Sequence, residues 1–292
     1  MIVVKFDLNL AKIFLLEFLS AIPSSLLQVT TFFVTWVCLG LPLGVASTII
    51  LQKNKAISAS WQPFKPITAE QKIPLLASLY LIAPLVLWGA NKILGNSFSS
   101  YGVIWDWSIL RSNGIGFVIG AIGLAILFGF QTGLGWVKWQ IAGKTIISVT
   151  LPILLLAVWI SATEELIFRG FVLTQLQQDY SIYIAATICS LIFAVLHLIW
   201  EQKETLPQLP GLWLMGMVLV LARYVDKGNL GVAWGLHSAL VWAIATIDTL
   251  ELITYTGKVP QWVTGKYGKP LAGLMGISFL LAIGAVLWVG LQ

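Results

Sequence analysis

The chain has 292 residues, of which 58% are hydrophobic and only 10% are charged. Soluble domains carry about 25% charged residues, so the composition excludes an ordinary soluble enzyme and predicts an all-α, polytopic transmembrane helix bundle. The formal charge of +5 comes from lysines spread over the connections between apolar runs, a distribution that does not indicate a nucleic-acid partner and fits contact with an anionic lipid bilayer.

Apolar runs of about 20 residues, the length that crosses a bilayer, follow one another along the chain. Residues 10–26 are predicted to form an interfacial or additional helix, and the glycine pairs Gly129/Gly133 and Gly231/Gly235 are predicted to allow close helix packing. About eight spanning helices are predicted, near residues 28–51, 73–92, 114–137, 145–178, 181–200, 206–224, 228–247 and 270–291.

The fourth run is longer than a bilayer requires. If residues 145–178 were wholly helical they would extend about 51 Å, against a hydrocarbon thickness of about 30 Å. Its polar end, "QLQQDYS", predicts a hairpin into the fifth run. With Tyr180 at the hairpin centre, Glu164 lies 16 residues before it and His197 lies 17 residues after it, which predicts that they lie at nearly the same depth.

Five ionisable residues interrupt the apolar runs of this region. A charged side chain in hydrocarbon costs roughly 2.5–3.5 kcal/mol, so such residues are by default candidates for a functional site. Glu165 and Arg169 have the i,i+4 spacing of a helical ion pair. Glu164 points about 100° away from Glu165 on a helix. It is therefore predicted to stay outside the ion pair and to be free to take part in a reaction. The set is Glu164, Glu165, Arg169, His197 and His237.

A carboxylate with two imidazoles supports two mechanisms, which the residues alone leave open. The carboxylate can act as a general base on a water molecule, or the three groups can hold a divalent metal that acidifies a bound water. A third interpretation is structural: a hydrogen-bonded cluster that joins helices.

Two sequence motifs favour a catalytic interpretation of these residues. "EELIFR", residues 164–169, matches an EExxxR motif, and "FAVLH", Phe193 to His197, matches an FxxxH motif. Together with His237 they resemble the CAAX-protease and bacteriocin-processing family of intramembrane proteases, also called the Abi family, which includes type II CAAX prenyl endopeptidases. The resemblance covers roughly residues 145–250.

The resemblance implies a role for each residue. Glu164 and His197 would activate the water, and His237 would stabilise the oxyanion or complete a zinc site with Glu164 and His197. The family has Asn or Asp four residues after this histidine, whereas Val241 stands there in this chain. One donor to the oxyanion is therefore missing. Ser238 points about 100° away from His237 on a helix and is a poor replacement, and Asn229 could reach in from the preceding turn only if the backbone bends there. Supporting roles are implied for Glu165, Arg169 and Phe193.

The expected organisation has four parts, and lysine counts predict its orientation. They are an N-terminal membrane segment over residues 1–27, N-terminal transmembrane helices over 28–144, the protease-like core over 145–250, and a loop with the last helix over 251–292. The side opposite the Tyr180 hairpin receives ten lysines, against at most six basic residues on the hairpin side. The positive-inside rule places that richer side, and the active site, toward the cytoplasm, with the plasma membrane as the expected location.

Three functions are compatible with the sequence. The first is an endopeptidase that cleaves a membrane-tethered substrate of CAAX-like, lipidated or hydrophobic character. The second is a catalytically weak or inactive scaffold or immunity protein of the same family, which the valine at position 241 favours. The third is a transporter whose buried Glu and His form a proton relay.

Overall fold

The structure, a computed structural model, describes residues 23–54, 69–141, 146–199 and 202–290. The predicted helix over residues 10–26 lies almost wholly outside the described residues. Eight long helices occupy the described part: α1 (Ser24–Lys53), α2 (Ala69–Leu94), α3 (Trp107–Gly133), α4 (Ile146–Glu165), α5 (Ile182–Leu196), α6 (Leu209–Val225), α7 (Gly231–Thr249) and α8 (Leu274–Val289). They correspond one to one to the predicted runs, and the all-α membrane fold is confirmed.

Single helical turns fill the connections. Between α2 and α3, a 3₁₀ turn buries Tyr101 completely, and the carboxylate of Asp106 then accepts the Ser108 N–H at 2.7 Å to cap α3. That cap explains why α3 begins before the predicted run. The α-helical turns are Gln202–Thr205 and Gln261–Thr264, and the 3₁₀ turns are Phe98–Tyr101, His197–Ile199, Leu206–Gln208, Lys266–Gly268 and Pro270–Ala272.

Two short strands were not predicted. β1 (Val137–Trp139) pairs antiparallel with β2 (Ile253–Tyr255), with Lys138 opposite Thr254. The ribbon links the connection before α4 to the connection after α7. Neither segment shows a usable strand periodicity in the sequence, because each has only three residues.

Six helical segments of the described chain are long and apolar enough to cross a membrane: Ser24–Lys53, Gln71–Leu94, Trp107–Gly133, Ile146–Leu176, Ile182–Ile199 and Gln202–Val225. Of the eight predicted runs, the last two fall outside this set of the described residues. α8 has 16 residues, about 24 Å of helix, and α7 is interrupted by His237, Ser238 and Asp248. Large apolar side chains such as Leu85 and Ile126, each 66% exposed, face outward as in a bilayer protein.

Helix pairs build the core: α1 packs on α2, α5 on α6, and α3 along α7. In the last pair the backbones touch, because a Cβ on Gly235 would overlap the Asn113 carbonyl and one on Gly116 would overlap that of Val232. Gly231 is also closely packed, against Ser112. The prediction for Gly129 and Gly133 is wrong: a Cβ at either position would meet nothing within 4 Å.

Candidate active site

The two motif glutamates lie where α4 changes its hydrogen-bonding pattern. Directly after Glu165 the backbone winds as a π-helix over Leu166–Val172, and one α-helical turn, Leu173–Leu176, follows. Residues 177–181 then form the predicted hairpin into α5. A π-helix uses i→i+5 hydrogen bonds, is rare, and frequently occurs at functional sites. The sequence predicts a regular α-helix here, and its apolar residues give no sign of the π-helical segment.

Arg223 of α6 contacts the π-helical segment. Its Nη1 donates to the backbone carbonyl of Arg169 and, at 3.1 Å, to Oγ1 of Thr174, while Nε donates to the Gly228 carbonyl at 3.1 Å. In the sequence, Arg223 is one of the basic residues assigned to the hairpin side. Its position near the end of an apolar run was a signal that could have revealed this internal role.

Glu165 is the more deeply buried glutamate. Its Oε1 accepts from Nη1 of Arg169 at 3.0 Å and lies 2.7 Å from Nδ1 of His237. Its side chain and that of Arg169 are fully buried, and His237 is 2% exposed. The predicted ion pair is present, but Glu165 also holds the second histidine. The Arg169 guanidinium lies 4.4 Å from the Phe193 ring centre, so a cation–π contact is added to its ion pair with Glu165.

Glu164 has a different environment. Its side chain is 12% exposed, and its Oε2 lies 3.6 Å from Nε2 of His237, too far for a hydrogen bond. Its Oε1 accepts a hydrogen bond from the hydroxyl of Tyr80 on α2. Glu164 is thus separate from the Glu165–Arg169 pair, as expected, but it is not wholly free. The N-terminal runs carry no recognisable motif, and a lone Tyr in an apolar run gave no signal of this contact.

His197 ends α5 beside the same aromatic ring. Its Nδ1 lies 2.8 Å from the Phe193 carbonyl, and its ring centre lies 4.6 Å from the Phe193 ring. The His237 ring centre is 5.9 Å from that of Phe193, so both imidazoles lie beside the same buried phenyl ring. With Nδ1–H donated to the carbonyl, Nε2 of His197 is the nitrogen left to accept a proton or bind a ligand.

The arrangement bears on the expected zinc site. Glu164 and His237 face each other, and each histidine uses Nδ1 on a protein oxygen, which leaves Nε2 for a metal. Within the described residues, however, no three His, Cys, Asp or Glu side chains are grouped closely enough to hold a metal ion. The side chains as arranged do not fit the three-ligand zinc set. Zinc binding through Glu164, His197 and His237 would require a closer approach of His197 and stays a prediction.

Neither Ser238 nor Asn229 replaces the donor that Val241 lacks. Val241 is half-buried one turn beyond His237. Ser238 donates to the Trp234 carbonyl at 2.8 Å, and Asn229 accepts the Gly231 N–H at 2.9 Å at the start of α7. Both polar side chains are therefore engaged elsewhere.

Comparison with known proteins identifies the segment that carries this site. Residues 145–243 match the family model described as Type II CAAX prenyl endopeptidase Rce1-like. Neither a curated protein nor a solved structure matches the chain. The matched segment contains Glu164, His197 and His237, whereas Tyr80 lies outside it. The match confirms the resemblance seen in the motifs: residues 145–243 of this multi-pass helical membrane protein are similar to the Rce1-like type II CAAX prenyl endopeptidases.

Proposed function

We propose that this protein is an intramembrane endopeptidase in which Glu164 activates the water that attacks a peptide carbonyl. The observation that carries this proposal is the difference between two adjacent glutamates. Glu165 is fully buried against Arg169 and His237, whereas Glu164 is 12% exposed and directs Oε2 toward Nε2 of His237. One carboxylate thus supports the site, and the other is available to take a proton.

The reaction uses these groups in sequence. Oε2 of Glu164 takes a proton from water while the water oxygen bonds to the carbonyl carbon and the carbonyl electron pair moves to its oxygen. Glu164 then gives the proton to the leaving nitrogen as the C–N bond breaks. Nε2 of His197 is available to hold the water, since Nδ1 faces the Phe193 carbonyl.

His237 has the role of stabilising the oxyanion. Its Nδ1 lies against Glu165, so the proton of the neutral ring belongs on that nitrogen, and Nε2 can donate only when the ring is an imidazolium. Glu165 is the adjacent counter-charge for that cation. In a site with little water, one such donor has a large effect on the transition state.

The substrate we propose is a peptide tethered to the bilayer by a lipid or a hydrophobic segment. The large apolar side chains exposed on the helices support a bilayer as the surroundings of the site. The test is cleavage of tethered peptides in proteoliposomes by the wild type and by Glu164→Gln, which keeps the shape but removes the base. We expect cleavage by the wild type and none by the variant; equal cleavage by both would refute the role of Glu164.

A scaffold or immunity role is the second candidate, and it is favoured by Val241 itself and by the engagement of Ser238 and Asn229 in other hydrogen bonds. It predicts no cleavage of any tethered peptide by either protein and an unchanged cellular phenotype in Glu164→Gln. The phenotype of that variant therefore separates the two functions even when the substrate in the assay is not the natural one.

Metal content is tested in the same assay. We propose the direct glutamate mechanism because Glu164 and His237 are the pair that faces each other. Activity should persist in protein dialysed against a chelator and verified as metal-free. Loss of cleavage that zinc restores would instead support zinc ligation by Glu164, His197 and His237.

We further propose that the site opens toward the cytoplasm of a cell whose plasma membrane holds the protein. The lysine excess on the β-ribbon side supports this orientation. In a Cys38→Ser background, Gln177→Cys in the hairpin should react with an impermeant maleimide on intact cells, and Lys138→Cys in β1 only after permeabilisation; both residues are exposed. The reverse labelling pattern would invert the orientation.

A further inference from the structure

We propose that Tyr80 is a positioning residue of the active site, which holds Glu164 so that its second oxygen faces His237. The inference rests on the proposed function of Glu164 and adds a residue from α2, outside the family-matched segment. The hydroxyl of Tyr80 donates to Oε1 of Glu164, and Oε2 then lies 3.6 Å from Nε2 of His237.

The physical argument concerns the freedom of the carboxylate. The terminal torsion of a glutamate is broad and roughly two-fold, so an unanchored carboxylate samples many orientations. Glu165 is fixed by contacts from Arg169 and His237 on one oxygen. For Glu164, Tyr80 provides the hydrogen bond, and fixing Oε1 fixes the plane in which Oε2 must meet the water. Such orientation contributes strongly to rate, since a misplacement of about 1 Å can cost about 10²-fold.

The turn of α2 that carries Tyr80 is itself held in place. The indole Nε1 of Trp36 on α1 donates to the carbonyl of Leu79, the preceding residue, at 2.8 Å. Pro74 and Pro84 lie inside the same helix. Pro84 has no N–H to donate to the Tyr80 carbonyl, so this part of α2 depends on packing against its neighbours. Packing of α1 on α2 thus positions Tyr80, whose hydroxyl contacts Glu164 at the end of α4.

The competing explanation is that Tyr80 only joins α2 to α4, as any interhelical hydrogen bond does. A purely structural tyrosine would change folded yield and leave the chemistry of folded molecules alone. A positioning tyrosine would lower kcat with KM unchanged, because the substrate binds equally well while the base is misaligned.

The experiment compares Tyr80→Phe with the matched control Tyr183→Phe, whose ring is 80% exposed. In proteoliposomes with a tethered peptide, we expect Tyr80→Phe to lower kcat by about 10–100-fold at unchanged KM, and the control to match the wild type. Incorporation of 4-aminophenylalanine at position 80, which restores a donor of similar size, should recover most of the turnover. Unchanged kcat in folded Tyr80→Phe, or no recovery with the amino analogue, would overturn the proposal.

A second readout is independent of cleavage. The infrared difference between wild type and Glu164→Gln isolates the Glu164 carboxylate band, and that band should shift in Tyr80→Phe because its hydrogen bond is gone. An unshifted band overturns the Tyr80 contact even if the protein is an active protease. Equal cleavage by wild type and Glu164→Gln overturns the proposed function, whereas the infrared result still reports on Tyr80.

Discussion

Arg223 donates a hydrogen bond from Nη1 to the backbone carbonyl of Arg169, so α6 holds the main chain of the segment that follows the motif glutamates. The contact joins two arginines through main chain and side chain, and Thr174 receives the same Nη1 at 3.1 Å. Arg169 lies in a π-helical segment, where the backbone hydrogen bonds depart from the regular α-helical pattern. The placement of Glu165 and Arg169 therefore depends on a residue that belongs to neither motif.

Replacing Arg223 with Lys should destabilise the bundle although the charge is kept. A lysine presents one compact ammonium and cannot reproduce the planar set of donors that contacts Arg169, Thr174 and Gly228. We expect a loss of about 1–3 kcal/mol in the free energy of unfolding, seen as a lower melting temperature in detergent. Arg111→Lys at an exposed position is the control, and equal shifts in both variants would contradict the role of Arg223.

Replacing Arg169 with Ala should reduce the amount of folded protein, whereas Glu164→Gln should not. The alanine leaves the fully buried Glu165 without its cation, at a cost of about 3–5 kcal/mol. Size-exclusion chromatography of the purified variants measures the folded fraction directly. Equal folded yields for Arg169→Ala and Glu164→Gln would mean that the two glutamates do not divide their roles in this way.

Much of the fold and part of the site could be predicted from the sequence because they follow from simple periodicities. Apolar runs located all eight long helices, and the i,i+4 spacing located the Glu165–Arg169 pair. The polar residues of the hairpin before α5 were also sufficient to predict it. These features are local, so one stretch of sequence contains the whole signal.

Other features could not be predicted because their cause lies in a distant segment. Tyr80 reaches Glu164 from 84 residues away in the chain, and nothing in the α2 sequence distinguishes it from an ordinary apolar-run tyrosine. The π-helical segment is held in part by Arg223, 54 residues after Arg169. Gly129 and Gly133 had the right spacing for close packing, but among the described residues a Cβ at either would meet nothing within 4 Å, and spacing alone does not specify a neighbour.

Introducing Asn at position 241 should raise turnover. Val241 lies one helical turn beyond His237 and offers no donor, while Ser238 and Asn229 are engaged with Trp234 and Gly231. An added oxyanion donor is worth about 10²–10³ in kcat at a well-formed site, so a substantial gain with little change in KM is expected.

The comparison uses steady-state kinetics of wild type, Val241→Asn and Glu164→Gln on one tethered peptide. No gain from Val241→Asn would mean that another donor already fills the role. A wild-type rate equal to the Glu164→Gln blank, with activity only in Val241→Asn, would identify the natural protein as one that has lost catalysis.

Asp179 should make the stability of the hairpin region depend on pH. Its Oδ2 accepts the Ser25 N–H at 2.9 Å, and this backbone hydrogen bond is the largest cause that lowers the Asp179 pKa below its usual 3.8. Because the folded-state pKa is depressed, the stabilisation is present above the unfolded value and is lost as pH falls through the folded value. The contact ties the start of α1 to the hairpin.

The measurement is thermal unfolding of wild type and Asp179→Asn from about pH 6 to about pH 3. Wild type should be the more stable at the upper end, and the difference should close at the acidic end. Glu251→Gln, at an exposed carboxylate, is the control. A difference between wild type and Asp179→Asn that stays constant over this range would rule out the ionised Asp179 as its source.

The backbone contact between Gly235 and Asn113 limits how a site of this design can diversify. His237 lies two residues after Gly235, so its imidazole moves with the separation of the α3 and α7 axes. Any side chain at position 235 larger than hydrogen would force that separation to grow and would shift the imidazole relative to Glu164. The site therefore cannot accept bulkier substrates by a wider separation of α3 and α7. Adaptation to new substrates must preserve the backbone contact between these two helices.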